Sequence, residues 1–200
     1  MAQDTGEAGW ALTRLVKMHA GMRDDLALLR RAVAVITEDG QDLADAAAVL
    51  THLSFRRPGW TLRRYCASFC RFVHAHHDVE TSMLFPALLQ QQQDAGDPEF
   101  KQVIDRLDAD HRALTDDLEE AERALARLPG DEAAKAAAAG ALVRLADRLT
   151  EHLDYEETSL APALNRMSRV VSEDAFPAPP SEHFGISRSS VLETDHAGQD

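Results

Sequence analysis

Two stretches decide how this chain folds. The first is His76-His77-Asp78-Val79-Glu80-Thr81-Ser82-Met83-Leu84-Phe85-Pro86-Ala87-Leu88. The second is His152-Leu153-Asp154-Tyr155-Glu156-Glu157-Thr158-Ser159-Leu160-Ala161-Pro162-Ala163-Leu164. His, Glu, Leu, Pro, Ala and Leu keep one register in both. An H-x3-E pair puts its two side chains one turn apart on the same helical face. Upstream of each stretch stands one further His. His19 is followed by Asp24, Asp25 and Leu26, and His111 by Asp116, Asp117 and Leu118. Asp pairs alone are weak evidence in a chain rich in Asp; the H-x3-E-x3-L-x-P-A-L match carries the repeat. The chain reads as a duplicated helical hairpin, each copy bearing one His and then one H-x3-E.

The apolar pattern agrees. Leu12, Leu15, His19, Met22, Leu26, Leu29, Val33 and Ile36 follow a 3/4 spacing. So do Leu62, Tyr65, Phe69, Val73, His76, Glu80, Met83 and Ala87. Phe100, Val103, Leu107, His111, Leu114, Leu118, Ala121, Leu125 and Leu128 form a third stripe, and Leu142, Leu145, Leu149, His152, Glu156, Leu160 and Ala163 a fourth. These predict four long helices, over about 10–38, 61–93, 98–128 and 131–167. No segment alternates like a strand. Ala95-Gly96-Asp97-Pro98 and Pro129-Gly130-Asp131 are short connections, which make helical neighbours antiparallel. The expected fold is therefore all-α, an antiparallel up-down four-helix bundle over 10–167. Residues 1–9 precede it as a flexible start. The first connection is long and holds an Ala-rich stretch, 42–53, with the character of a short extra helix. From 168 to 200 the chain turns rich in Pro, Ser and acidic residues, the composition of a disordered tail.

Composition narrows the function. The 200 residues carry 21 Lys plus Arg against 34 Asp plus Glu, a formal charge of −13, which argues against nucleic acid as a partner. No apolar run reaches the roughly 18 residues of a membrane span. The polar, acidic N-terminus does not resemble a signal peptide, so the expected compartment is the cytoplasm. The two cysteines, Cys66 and Cys70, are too few for a disulfide scaffold or a four-Cys zinc site. They read as small buried apolar residues.

Nine His is a high count, and four of them fall on apolar stripes. His19, His76, Glu80, His111, His152 and Glu156 all face the expected core, near one level of the bundle. Burying two carboxylates and four imidazoles without compensation costs many kcal/mol. A shared cationic partner is required, and a pair of metal ions is the economical one. Four nitrogen and two bridging oxygen ligands suit iron, with manganese and zinc as competitors.

At these residues the sequence resembles the hemerythrin, or HHE cation-binding, family of non-haem di-iron proteins on a four-helix bundle. H-x3-E-x3-L-F-P at His76–Pro86 is the most recognisable piece, and the likeness runs over about 12–167. The resemblance implies that His19 and His76 serve one iron and His111 and His152 the other. Glu80 and Glu156 bridge them, and an oxo, hydroxo or solvent bridge completes two Fe2+/Fe3+ ions. The family's oxygen carriers have one more His four residues after the helix-three His. Here that residue is Thr115, a poor iron ligand. The second iron is then left more open unless His77, or less readily Tyr155, fills the position.

The resemblance implies O2, peroxide or another small diatomic as the partner. An open position on each iron favours redox chemistry of the oxidase, oxygenase or catalase-like kind. The alternative is binding or sensing of O2, NO or iron without turnover. Arg56, Arg57, Arg63 and Arg64 make a basic patch in an acidic chain. His52, His74, His183 and His196 are given no role, and the oligomeric state is open.

Overall fold

The computed structural model describes residues 9–37, 62–95, 98–127 and 131–167. Among these, the elements are α1 (Trp10–Thr37), α2 (Leu62–Val79), a π turn (Glu80–Leu84), α3 (Phe85–Ala95), α4 (Phe100–Leu125) and α5 (Glu132–Leu164), with no strand. The all-helical expectation holds, and the helix bounds fall within four residues of those read from periodicity. The Ala-rich stretch, the tail from 168, Arg56, Arg57, His52, His183 and His196 lie outside the described residues. The side chains of Arg63 and Arg64 do too. No described helix is long and apolar enough to cross a membrane.

Local chemistry sets the ends. Gly9 opens α1 at φ +86°, and its carbonyl accepts both the backbone N–H and the hydroxyl of Thr13, each at 2.9 Å. A Cβ there would stand 3.2 Å from Asn165 Oδ1 at the end of α5, so this corner favours glycine twice over. Asp131 caps α5 by accepting the Ala134 N–H at 3.0 Å, in the extended conformation usual for an N-cap.

The π turn was not foreseen. The Phe85 N–H reaches back to the Glu80 carbonyl, a five-residue step. Pro86 follows at once and has no N–H of its own to offer. The wider turn takes one more residue, and this corrects the second stripe. Met83 is 46% exposed, while Leu84, Phe85 and Leu88 carry the inward face. Pro162, at the equivalent place in the repeat, lies within α5 and no π turn surrounds it. In the third stripe Ile104 is buried where Val103 was expected.

The core divides in two. One apolar cluster holds Met22, Leu26, Tyr65, Phe69, Val73, Leu114, Leu118, Leu149 and Leu153, with others. The second holds Leu15, Met18, Leu84, Phe85, Leu88, Phe100, Ile104, Leu107 and Leu160, with others. On every helical rod the polar residues of the stripe stand where the chain passes from one cluster to the other. Ion pairs tie α1 to α5 outside the core: Arg23 meets Asp154 and Glu157, and Arg30 meets Asp147. Arg144 meets Glu120 and Arg148 meets Asp117 between α5 and α4. Exposed pairs of this kind contribute little each.

Cys66 and Cys70 are free and 1% exposed. Burial pushes both thiols up, Cys70 to about 12, so neither supplies a thiolate near neutral pH. Asp25 and Tyr65 are fully buried, and the Tyr65 hydroxyl donates to Asp25 Oδ1 at 2.6 Å. Tyr65→Phe takes a donor from a buried carboxylate and should cost about 1–3 kcal/mol of unfolding free energy. Urea denaturation followed by circular dichroism checks this; an unchanged midpoint would show that the bond adds nothing.

Candidate metal centre

The layer between the two clusters contains His19 from α1, His76 and His77 from α2, and Glu80 at the start of the π turn. His111 comes from α4, and His152 and Glu156 from α5. All seven are buried, with His19, His76, Glu80 and Glu156 fully inaccessible. The six residues expected from sequence are therefore brought together, and His77 joins them.

Their ligating atoms form two groups, each within 4.8 Å. One is His19, His76, Glu80 and Glu156; the other is His77, His111 and His152. The carboxylates reach both. Glu80 Oε1 is 2.9 Å from His76 Nε2, and its Oε2 is 3.5 Å from His111 Nε2. Glu156 Oε2 stands 3.5 Å from His19 Nε2 and 3.6 Å from His152 Nε2. His77 stacks on His111 with ring centres 4.0 Å apart, and Phe85 covers His111 at 5.4 Å.

The Thr115 hydroxyl is taken up by the His111 carbonyl, to which it donates at 3.0 Å. Tyr155 packs against the second apolar cluster, with the Arg106 guanidinium 3.6 Å over its ring. Between the two residues weighed for the position left by Thr115, the geometry favours His77.

Sequence reasoning missed the residues behind the layer. His19 Nδ1–H donates to Glu157 Oε1 at 3.0 Å, and Arg23 donates to the same oxygen at 2.7 Å. Arg23 also donates to Asp154 Oδ1 at 2.6 Å. The His111 Nδ1 meets the Thr81 hydroxyl at 3.1 Å. The Glu157 carboxylate must accept, so in the neutral His19 ring it is Nε2 that keeps the lone pair a metal would take; the Thr81 hydroxyl holds the His111 ring as donor or acceptor. The signal was present in the repeat, since residues 81 and 157 directly follow the two glutamates. Both lie off the apolar stripe, and only the packing of α1 and α4 gives them partners.

The donor set fits a cation. Among the described residues, neither oxygen of Glu80 or Glu156 receives a hydrogen bond, and Nε2 of His77, His111 and His152 has no hydrogen-bond partner. Buried polar atoms in this condition are rare and call for a partner. Proton affinities point the same way. Burial, then the positive charge of His111, pushes His77 well below its ordinary value and His152 to about 3. Burial lowers His111 as well. These three rings are neutral near pH 7, with lone pairs available.

Burial raises Glu80, but His76 and His19 outweigh it and hold the carboxyl well below the usual range. Burial and the charge of Glu80 push Glu156 well up, so without metal this carboxyl holds its proton more tightly than a free one. Burial also lowers His19, yet its bond to Glu157 and the negative charge of Glu80 bring it out above normal. Burial lifts Glu157, while His19 and Arg23 more than reverse this and take it to about 2.

The description hemerythrin HHE cation-binding domain matches residues 11–164. The chain belongs to that family. Family members bind metal ions, and the two buried groups supply the donors for it. No curated protein and no solved structure matches the chain.

A pH effect follows from Glu156. The folded chain holds this proton more tightly than the unfolded chain does. Metal-free protein therefore loses stability from this group as pH rises above the ordinary carboxyl value of 4.5. Glu156→Gln removes the titration and should flatten that decline. Urea midpoints of metal-free parent and variant, from about pH 5 to about pH 8, check this. Equal slopes would show that Glu156 is not the group responsible.

Proposed function

We propose that this chain is a non-haem di-iron protein that binds a small oxidant or diatomic ligand, built as an antiparallel up-down four-helix bundle. The observation that carries the reading is the reach of the carboxylates. Glu80 faces His76 with one oxygen and His111 with the other, and Glu156 stands between His19 and His152. In this reading His19 and His76 hold one iron, His77, His111 and His152 the other, and the glutamates are shared. The up-down order is supported by the ion pairs: as numbers rise from Arg23 to Arg30 on α1, they fall from Asp154 to Asp147 on α5.

Iron held there supplies the ferrous–ferric couple and a coordination position for O2, NO or peroxide. The protein's residues set its surroundings. His77 gives one side three imidazoles and leaves two on the other, so the two positions differ. With His77 in the place left by Thr115, the openness that favoured turnover is reduced on that side, which supports reversible binding. An unequal pair, one side saturated and one side open, suits a carrier or sensor of a diatomic. The apolar clusters above and below exclude water from the layer. Redox turnover is the second reading, and one observation favours it. Glu157, 22% exposed, connects His19 to solvent and offers a path for protons. Manganese or zinc in the same ligands is the chemical alternative to iron.

Metal analysis with visible absorption should find two irons per chain. His77→Ala should lower the iron content or change the spectrum, and Thr115→His should do little. Retention of two irons and an unaltered spectrum in His77→Ala would remove His77 from the site. Loss of the spectrum on deoxygenation and its return on aeration supports binding; sustained O2 evolution from peroxide supports turnover.

A further inference from the structure

The two hydrogen bonds behind the site come from one place in the repeat. Glu157 follows Glu156, and Thr81 follows Glu80. Each meets the outer nitrogen of the His that the partner hairpin's layer receives from α1 or α4: Glu157 takes His19 at 3.0 Å and Thr81 takes His111 at 3.1 Å. The geometry is shared, but the chemistry is not. One partner is a carboxylate and the other a neutral hydroxyl.

Resting on the di-iron reading, we infer that residues 81 and 157 are a matched pair of positioning residues that make the two metal positions electronically unequal, with the His19 side the more electron-rich. A carboxylate on the outer N–H fixes the ring and raises its basicity as a metal ligand; a hydroxyl fixes the ring with little added charge. Arg23 holds Glu157 in place. Arg23 also binds Asp154, so the trio of one cation and two anions keeps a net negative charge behind His19.

On the other side, the charges of Asp108 and Asp110 both bear on His111 without a hydrogen bond to its ring, and Asp110 also faces His152. The Asp110 Oδ2 stands 3.9 Å from His152 Nδ1, too far for a hydrogen bond, with Arg106 3.8 Å from the same oxygen. His76, the other ring of the first group, stacks against Phe72 at 6.4 Å. The carboxylate that is hydrogen-bonded to a ring, Glu157, delivers its charge through His19.

Space allows the two positions to be exchanged. Thr81 is exposed, so a longer acidic side chain fits there without entering the core. Glu157→Gln keeps an acceptor oxygen and removes the charge, which separates charge from orientation. Glu157→Ala removes both.

Cobalt(II), which binds such ligands without needing oxidation, is the probe. It is titrated into metal-free full-length chain, with absorption giving the two binding constants and paramagnetic shifts of the His19 and His111 ring protons assigning them. Glu157→Gln should weaken the His19 side by about 10–100-fold and leave the His111 side within about threefold. Thr81→Glu should strengthen the His111 side by a similar factor. Circular dichroism confirms that each variant is folded.

Equal weakening of both sides by Glu157→Gln would overturn the inference, as would failure of Thr81→Glu to strengthen the His111 side. Loss in Glu157→Ala but not in Glu157→Gln would leave orientation as the only role and overturn the electronic part. A parent chain that bound no cobalt would overturn the metal-site reading itself. Two bound cobalt ions indifferent to residues 81 and 157 would overturn this inference alone.

Discussion

Everything in this fold is arranged around two buried carboxylates that receive no hydrogen bond from the described residues. Glu80 and Glu156 are fully buried, beside one another and among five imidazoles. An apolar interior penalises each charge, and their mutual repulsion adds to the penalty. Such a layer is stable only with protons or a cation inside it. Its position between two apolar clusters means that the rest of the bundle must supply the stability that the layer consumes. The leucines, phenylalanines and methionines above and below do so by ordinary burial.

Much of this was legible in the sequence because helical geometry is periodic. An H-x3-E places both side chains on one face whatever surrounds it, and four apolar stripes say which face is inward. The six core residues followed from that alone, and so did the number of helices. What was not legible depended on tertiary contact or on a break in period. The π turn breaks the period at Glu80, which is why Met83 was placed inside and Leu84 carries that role. Pro86 stands just after that break, yet Pro162 shows that the same residue in the same motif does not impose a π turn. Glu157, Thr81 and Arg23 sit off the stripes, where side chains usually meet solvent. His77 and Tyr155 were both open from sequence, and only the packing of α4 and α5 around the layer separates them.

The duplicated hairpin kept its inner residues and diverged behind them. Asp25 and Asp117 occupy equivalent places after His19 and His111. Asp25 is buried and takes the Tyr65 hydroxyl, whereas Asp117 is paired with Arg148 near the surface. Thr81 and Glu157 diverge likewise. Symmetry in the donors, with asymmetry in what lies one bond further out, lets a repeated unit hold two metals without making them alike.

The site also draws on the first and last described helices. His19 lies on α1, while His152, Glu156 and Glu157 lie on α5, and the helices between them complete the ring. On a ribosome the chain emerges from its N-terminus. Until α5 has left the exit tunnel, the nascent protein has His19, His76, His77, Glu80 and His111 but lacks the second carboxylate and the last imidazole. The full donor set is thus out of reach of a partly made chain. Metal capture in its final form waits until α5 emerges, when two distant segments of the sequence first come into contact.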